Sequence, residues 1–253
     1  MAEIAQIVQK IKQKKELSGI EDSIVLEHLI GYLEKNKLSL HKLNPSQITL
    51  IMKDIRALLR ERVGRFQASI KNRYPLLEKG DIQAILHTHS STKERIYFYP
   101  QLKEIIKKLK VKSILDLGCG INPLALAEQG IKYYASDINA EDLNIVKEFF
   151  KNQRIDGEVF VCDLNKIENC TLPKADLTLV LKVFDILGKS DYRAAKKIIE
   201  RISSNHLIVS FSIKTLSGKP MKSQRRIWFE RLLDSFLYRF EIVKSDNEIF
   251  YIV

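Results

Sequence analysis

The sequence predicts an α/β domain built on a mostly parallel sheet, preceded by a basic helical segment, and three observations carry this reading. From residue 111 onward, short apolar stretches alternate with amphipathic ones, as strands and helices do in turn. Before residue 111 the apolar residues recur at three- and four-residue spacing with almost no strand-like alternation. The charge is also uneven: residues 1–110 hold 21 Lys+Arg against 12 Asp+Glu, and residues 111–253 hold 21 against 19. Most of the formal net charge of +11 therefore sits in the first part.

Taken in order, segments 2–16, 20–35 and 45–70 read as helices, punctuated by Ser18-Gly19 and Asn44-Pro45. VKSILDLG is a short apolar strand ending in a glycine turn, and NPLALAEQG a helix closed by Gly130. IKYYASD, GEVFVCD and ADLTLVLK are three further strands, the last nearly continuous in apolar residues, as a strand covered on both faces should be. AEDLNIVKEFFKNQ and DYRAAKKIIERI are helices, and NHLIVSFSI is a fifth strand. The helix KSQRRIWFERLLDSFL precedes RFEIVKS and NEIFYIV, an antiparallel pair turning at Asp246-Asn247. The expected division is a helical, basic domain over 1–85 and the α/β domain over 86–253.

Composition narrows the function classes. With 45% hydrophobic residues the chain can build a core. No apolar run approaches the roughly 18–20 residues that a bilayer demands, so no membrane partner is expected. The first residues lack the apolar core of a signal peptide, and a cytoplasmic location is expected. Cys119, Cys162 and Cys170 form no C-x-x-C pair, so they are expected as small buried thiols, not as a disulfide or zinc framework. His87 and His89 lack a third ligand nearby, so no metal is expected. Lys53, Arg56, Arg60, Arg62, Arg65, Lys71 and Arg73 cluster in one basic stretch, as contact with a phosphate backbone would require.

In open α/β sheets a ligand lies beyond the carboxyl ends of the strands. Three acids fall there: Asp116 at the end of the first strand, Asp137 after the second and Asp163 after the third. Gly118 and Gly120 permit close backbone approach. Pro123 stands where a dinucleotide-binding loop carries its third glycine, which speaks against a bound pyrophosphate. S-adenosylmethionine, which carries no phosphate, suits the set. Asp116 would take its ammonium, Asp137 its ribose diol, and Asp163 with Leu164 its adenine.

HTHSSTKER at 87–95, SILDLGCGINPLAL at 113–126, LVLKVFDIL at 179–187, and LIVSFSIKTLSGK with IWFE within 207–230 resemble the aminoglycoside-resistance 16S ribosomal RNA (guanine(1405)-N(7))-methyltransferases of the Arm, Rmt and Sgm type. The likeness covers roughly residues 45–253. It implies a class I S-adenosylmethionine-dependent methyltransferase, Rossmann-like with a mostly parallel seven-stranded sheet, and a helical N-terminal domain that docks on the 30S subunit. The resemblance adds His89, Ser90, Ser91 and Arg95 to the cofactor pocket, with Arg95 facing the methionine carboxylate, and matches Gly118, Gly120, Asp137, Asp163, Leu164 and Leu181 to the remaining cofactor positions. Lys182 and Phe184 are expected against the RNA, and Tyr97 and Trp228 are further candidates to hold a flipped base. Family members often carry proline where this chain has Asp185.

The expected activity is methylation of nitrogen 7 of guanine 1405 in 16S rRNA of the 30S decoding site, conferring aminoglycoside resistance, by a protein acting as a monomer. That nitrogen has a free lone pair, so no general base is expected and positioning suffices. An N/D-P-P-Y/F element and a P-C nucleophile are both missing, which excludes exocyclic-amino and cytosine-C5 methylation. The alternatives are a cofactor-binding assembly factor with little turnover, or a methyltransferase on a different RNA site.

Overall fold

The computed structural model describes residues 2–64, 72–187, 192–215 and 217–253. Seven strands form one sheet in the order β3-β2-β1-β4-β5-β7-β6. They are β1 (Ser113–Leu117), β2 (Lys132–Asp137), β3 (Gly157–Val161), β4 (Leu177–Leu181), β5 (His206–Ser212), β6 (Glu241–Lys244) and β7 (Glu248–Ile252). β1 pairs in parallel with β2 and β4, β2 with β3, and β4 with β5, whereas β7 is antiparallel to both β5 and β6. Strand order therefore reverses between β1 and β4, which puts the switch point, and any ligand, at the carboxyl ends of these two strands.

Successive residues of each strand point to opposite faces. Ile114, Leu177, Leu179 and Ile208 join one apolar cluster, while Leu115, Leu117, Val180 and Val209 join the other. The first face is covered by α7 (Tyr99–Lys108) and α9 (Ala140–Gln153), the second by α10 (Tyr192–Arg201) and α11 (Ile227–Ser235). A third cluster, from Ile7 to Val63, is the separate core of α1 (Ala2–Lys12), α2 (Asp22–Lys35) and α3 (Pro45–Leu59). Pro45 opens α3, and Asn44 and Gln47 cap it reciprocally. A π-helical turn over Arg60–Gly64 continues α3. Short helices α4 (Arg73–Glu78), α5 (Ile82–Leu86) and α6 (Ser90–Arg95) follow, and Leu77, Ile85 and Leu86 pack into the cluster of the first sheet face.

The helix expected over 2–16 ends at Lys12, and two expected helices of the α/β part are shorter than their sequence patterns. NPLALAEQG forms a single turn, α8 (Pro123–Leu126), because Ala127 is already extended and Gly130 turns at φ +86°. The other begins only at Ile227. Arg226 ahead of it donates its backbone N–H to the Tyr251 hydroxyl at 2.8 Å and its guanidinium to the Ser212 carbonyl at 2.6 Å, which holds the chain out of the helix. Among the described residues, no helix is long and apolar enough to cross a membrane.

α4 is anchored by a charge. Arg73 is wholly buried, pairs with Asp142 on α9, and donates Nε–H to the Thr88 hydroxyl at 2.7 Å. The expectation that Arg73 contacts RNA is corrected here, because a side chain enclosed between α4 and α9 presents nothing to a phosphate. Removing one member of a buried pair strands the other charge. Arg73→Ala is therefore expected to lose about 3–5 kcal/mol of unfolding free energy, measured by urea denaturation, and more than Lys53→Ala on the exposed side of α3.

Candidate active site

A cleft of about 700 Å³, counting the part open to solvent, lies at the carboxyl ends of β1 to β4. Eight of the expected cofactor residues line it: His89, Ser91, Gly118, Gly120, Asp137, Asp163, Leu164 and Leu181. Gly118 and Gly120 have φ of +66° and +49°, the left-handed region that favours glycine. A Cβ on Gly118 would stand 2.7 Å from Val183 Cγ2, and one on Gly120 would stand 3.1 Å from His89 Nε2. The loop after β1 is thus pressed against both walls of the cleft and leaves backbone, not side chain, facing the ligand.

The acids sit at three depths. Asp137 bridges backbone: Oδ2 accepts the Gly120 N–H at 2.8 Å and Oδ1 accepts the Asn139 N–H at 2.9 Å. Burial, with Asp142 nearby, pushes its pKa up to about 6. Asp163 accepts both the backbone and side-chain N–H groups of Asn165 on Oδ1 and the Arg62 guanidinium on Oδ2 at 3.1 Å. Although burial opposes ionisation, Arg62 and the Asn165 donors hold the Asp163 carboxyl below its usual range. Asp116 lies below the cleft, fully buried, with Oδ2 accepting the Tyr133 hydroxyl at 2.9 Å and Oδ1 without a hydrogen-bond partner. Burial raises its pKa to about 7. Burial also lowers the His89 pKa to about 4, so the ring is neutral at pH 7.

Arg95 and Lys182 share one carboxylate. Glu248, at the start of β7 and fully buried, accepts Arg95 Nη2–H at 2.7 Å, Arg95 Nε–H at 3.2 Å and the Ser210 hydroxyl at 2.7 Å on Oε2. Its Oε1 stands 3.7 Å from Lys182 Nζ. Arg95 also donates Nη1–H to Asn122 Oδ1 at 2.7 Å, and Tyr99 donates its hydroxyl to the same oxygen at 2.7 Å. Arg95 is thus built into the floor of the site and does not line the open cleft. Ser90, half-buried, does not line it either. Lys182, expected against RNA, is buried with φ +61°, lines the cleft and pairs with Glu94.

Other expected RNA contacts are redistributed. Phe184 is corrected: at 4% exposure it packs against Phe211 and Phe229 in the core and cannot stack on a base. Trp228 lies edge-on to the same two rings, whereas Tyr97 is 93% exposed. Lys53 is exposed. Arg56 bonds the carbonyls of Lys10 and Ile11 at the end of α1, and Arg60 pairs with Glu16 at 2.6 Å. Arg65 and Lys71 lie outside the described residues. Cys162 and Cys170 form a disulfide, which corrects the expectation of three thiols: the turn over Leu164–Asn169 doubles back and brings their Cα atoms to 5.7 Å. Only Cys119 is a free thiol.

The model of the family described as ribosomal RNA methyltransferase (FmrO) matches residues 31–252. The chain belongs to the FmrO family of ribosomal RNA methyltransferases. It is 29% identical over 168 residues to a 16S rRNA (guanine(1405)-N(7))-methyltransferase of Serratia marcescens, covering 64% of this chain and 65% of that protein. A second such enzyme, from Micromonospora rosea, is 26% identical over 215 residues, 78% of this chain and 77% of that one. The fold is that of the 16S rRNA methyltransferase RmtF in complex with S-adenosyl-L-homocysteine, with TM-score 0.78 and 21% identity over 100% of this chain and 98% of that one. The 16S rRNA methylase ArmA matches with TM-score 0.57 and 27% identity over 73% of this chain and 96% of that one.

The residues of this FmrO-family cleft fit S-adenosylmethionine. Backbone-lined Gly118 and Gly120, the strand-end carboxylates of Asp137 and Asp163, the apolar side chains of Leu164, Leu181 and Val183, and the unpartnered Oδ1 of Asp116 match a nucleoside joined to an amino acid. Sequence reasoning missed Glu248 and Asn122, which orient Arg95, and placed Arg62 only in the basic run, whereas it reaches the cleft from the helical segment. None of the three stands in a spacing that marks a ligand.

Asp116, expected at the ammonium, and Asp137, expected at the ribose diol, are partly protonated near neutrality, and a protonated carboxyl offers no charge to an ammonium and a weaker acceptor to a hydroxyl. S-adenosylhomocysteine affinity is therefore expected to be full only well above pH 7 and to fall as pH drops through about 7 and then about 6. Titration calorimetry across that range tests this; a flat affinity in the wild type refutes it, and Asp116→Asn should flatten the upper part of the fall.

Proposed function

We propose that this protein methylates nitrogen 7 of guanine 1405 in 16S rRNA within the 30S subunit, with S-adenosylmethionine as methyl donor and aminoglycoside resistance as the consequence. The observation that carries the reading is the cleft itself: strand-end acids that suit a nucleoside, lined also by His89 and Ser91, in a chain whose FmrO-family match spans residues 31–252. The named relatives are 16S rRNA (guanine(1405)-N(7))-methyltransferases, which supports the same target here.

Mechanism follows from what these side chains hold. The cofactor, when bound, supplies an electrophilic methyl on a sulfonium. Asp137 and Asp163 would hold its nucleoside, while the glycine loop and Leu181 would fix the depth of its sulfur. Arg95, oriented by Glu248 and Asn122, would meet the carboxylate of the cofactor's amino-acid end from the floor of the site. The acceptor nitrogen carries no proton, so no group in the cleft has to remove one. Neutral His89 adds no positive charge to the cleft in which a sulfonium would sit. Orientation of nitrogen and methyl in line then carries the rate, and such alignment supplies up to roughly 7–11 kcal/mol.

Substrate contact belongs to exposed cations of the helical segment, Lys53 among them, and Tyr97 is the exposed aromatic nearest in sequence to the cofactor residues of α6. The docking module lies within residues 1–85, and the protein acts as a cytoplasmic monomer on assembled subunits.

Incubating the protein with labelled S-adenosylmethionine and unmodified 30S subunits, then mapping by reduction and aniline cleavage, should give one cut at guanine 1405. Cleavage at another nucleotide would move the target while keeping the chemistry. Absence of label in the presence of bound cofactor would refute the enzymatic reading.

A further inference from the structure

Three points of the N-terminal helical module grip the two loops that present Asp137 and Asp163. Beyond β2, Glu21 donates its N–H to the Ile138 carbonyl at 3.0 Å, Ala140 donates to the Gly19 carbonyl at 2.7 Å, and Ile20 forms an antiparallel bridge with Asn139. Contact there is close enough to exclude a side chain, since a Cβ on Gly19 would stand 2.4 Å from Asn139 Oδ1. Beyond β3, Lys166 pairs with Glu27 of α2 at 2.9 Å. Between them Arg62 enters the cleft wall with Val63 and pairs with Asp163, the two side chains 19% and 6% exposed.

We propose that the helical module forms the outer wall of the cofactor site and that Arg62 is the positioning residue through which it acts, holding the Asp163 carboxylate for the adenine. Asn165 occupies Oδ1 with two donors and Arg62 occupies one side of Oδ2. This geometry fixes the plane of the carboxylate and leaves Oδ2 a further lone pair for an amino group. An arginine pairs with a carboxylate more directionally than a lysine does, which suits a part-buried site where the acid must not swing. The inference rests on the reading of the cleft as an S-adenosylmethionine site and deepens it. Seating of the module and binding of the nucleoside then favour one another, because each orders the same two loops.

Calorimetric titration of the full chain with S-adenosylhomocysteine, paired with hydrogen exchange at the Glu21 and Ala140 amides, tests this. Arg62→Ala is expected to weaken binding about tenfold. In the wild type the ligand should slow exchange at both amides, which bond across the module boundary, and in Arg62→Ala that slowing should disappear. A purely structural arginine would lower the melting temperature and leave affinity and ligand-induced protection of the folded protein unchanged; that result overturns the proposal. Tighter binding in Arg62→Ala also overturns it, since Arg62 would then obstruct the adenine. If Arg62→Ala does not fold, Arg62→Gln, which keeps the length and loses the charge, is expected to show a smaller loss of the same sign, and wild-type affinity there refutes the role. Failure of the wild type to bind S-adenosylhomocysteine would instead remove the cofactor reading beneath it.

Discussion

Glu248 is the contact on which the rest of the site depends. One buried carboxylate from the first residue of the last strand holds Arg95 from α6, lies beside Lys182 from the end of β4, and accepts the Ser210 hydroxyl of β5. Without it Arg95 would lose its only carboxylate among the described residues, and a buried charge left without its partner is strongly unfavourable. With it, four separate stretches of chain are pinned at the switch point of the sheet. Asn247 adds to the clamp by donating its side-chain amide to the Glu94 carbonyl at 2.8 Å. The antiparallel β6–β7 pair is therefore part of the site's foundation, although it contributes no residue to the cleft lining.

Pairing also decides where the basic residues of the first part go, whether buried as Arg73 is or part-exposed as Arg60 is. Arg73 is spent on Asp142, Arg62 on Asp163, Arg60 on Glu16, and Arg56 on the carbonyl end of α1. A run that looks like one RNA-binding stripe is, where the structure describes it, largely a set of internal ties, with Lys53 left exposed. Arginine suits the ties because its planar, multi-donor end satisfies several acceptors at once. Exposed lysines keep a hydrated charge, which is what counterion release uses.

Much of the fold was legible because periodicity reports burial directly. All seven strands stand where the apolar runs put them, and the turn at Asp246-Asn247 joins β6 to β7. The strand-end acids and glycines were legible for the same reason: a parallel sheet places them at one edge, and Gly118, Gly120, Asp137 and Asp163 meet in one cleft. What the sequence did not show depends on contacts distant along the chain. Glu248 is 153 residues from Arg95, and Arg62 is 101 from Asp163. Phe184 beside the expected target site and Arg73 in a basic run carry no local sign that the fold would bury them. Likewise, a spacing of eight residues between Cys162 and Cys170 says nothing of the tight turn that joins them.

The most direct test of the account is a crystal structure of the full chain with S-adenosylhomocysteine. The account predicts the ribose hydroxyls on Asp137, the adenine amino group on Asp163 with the Arg62 contact retained, and the amino-acid carboxylate within hydrogen-bond reach of Arg95 while Glu248 still holds it. A ligand seated away from the ends of β1 to β4, or one that displaces Arg95 from Glu248, would contradict it.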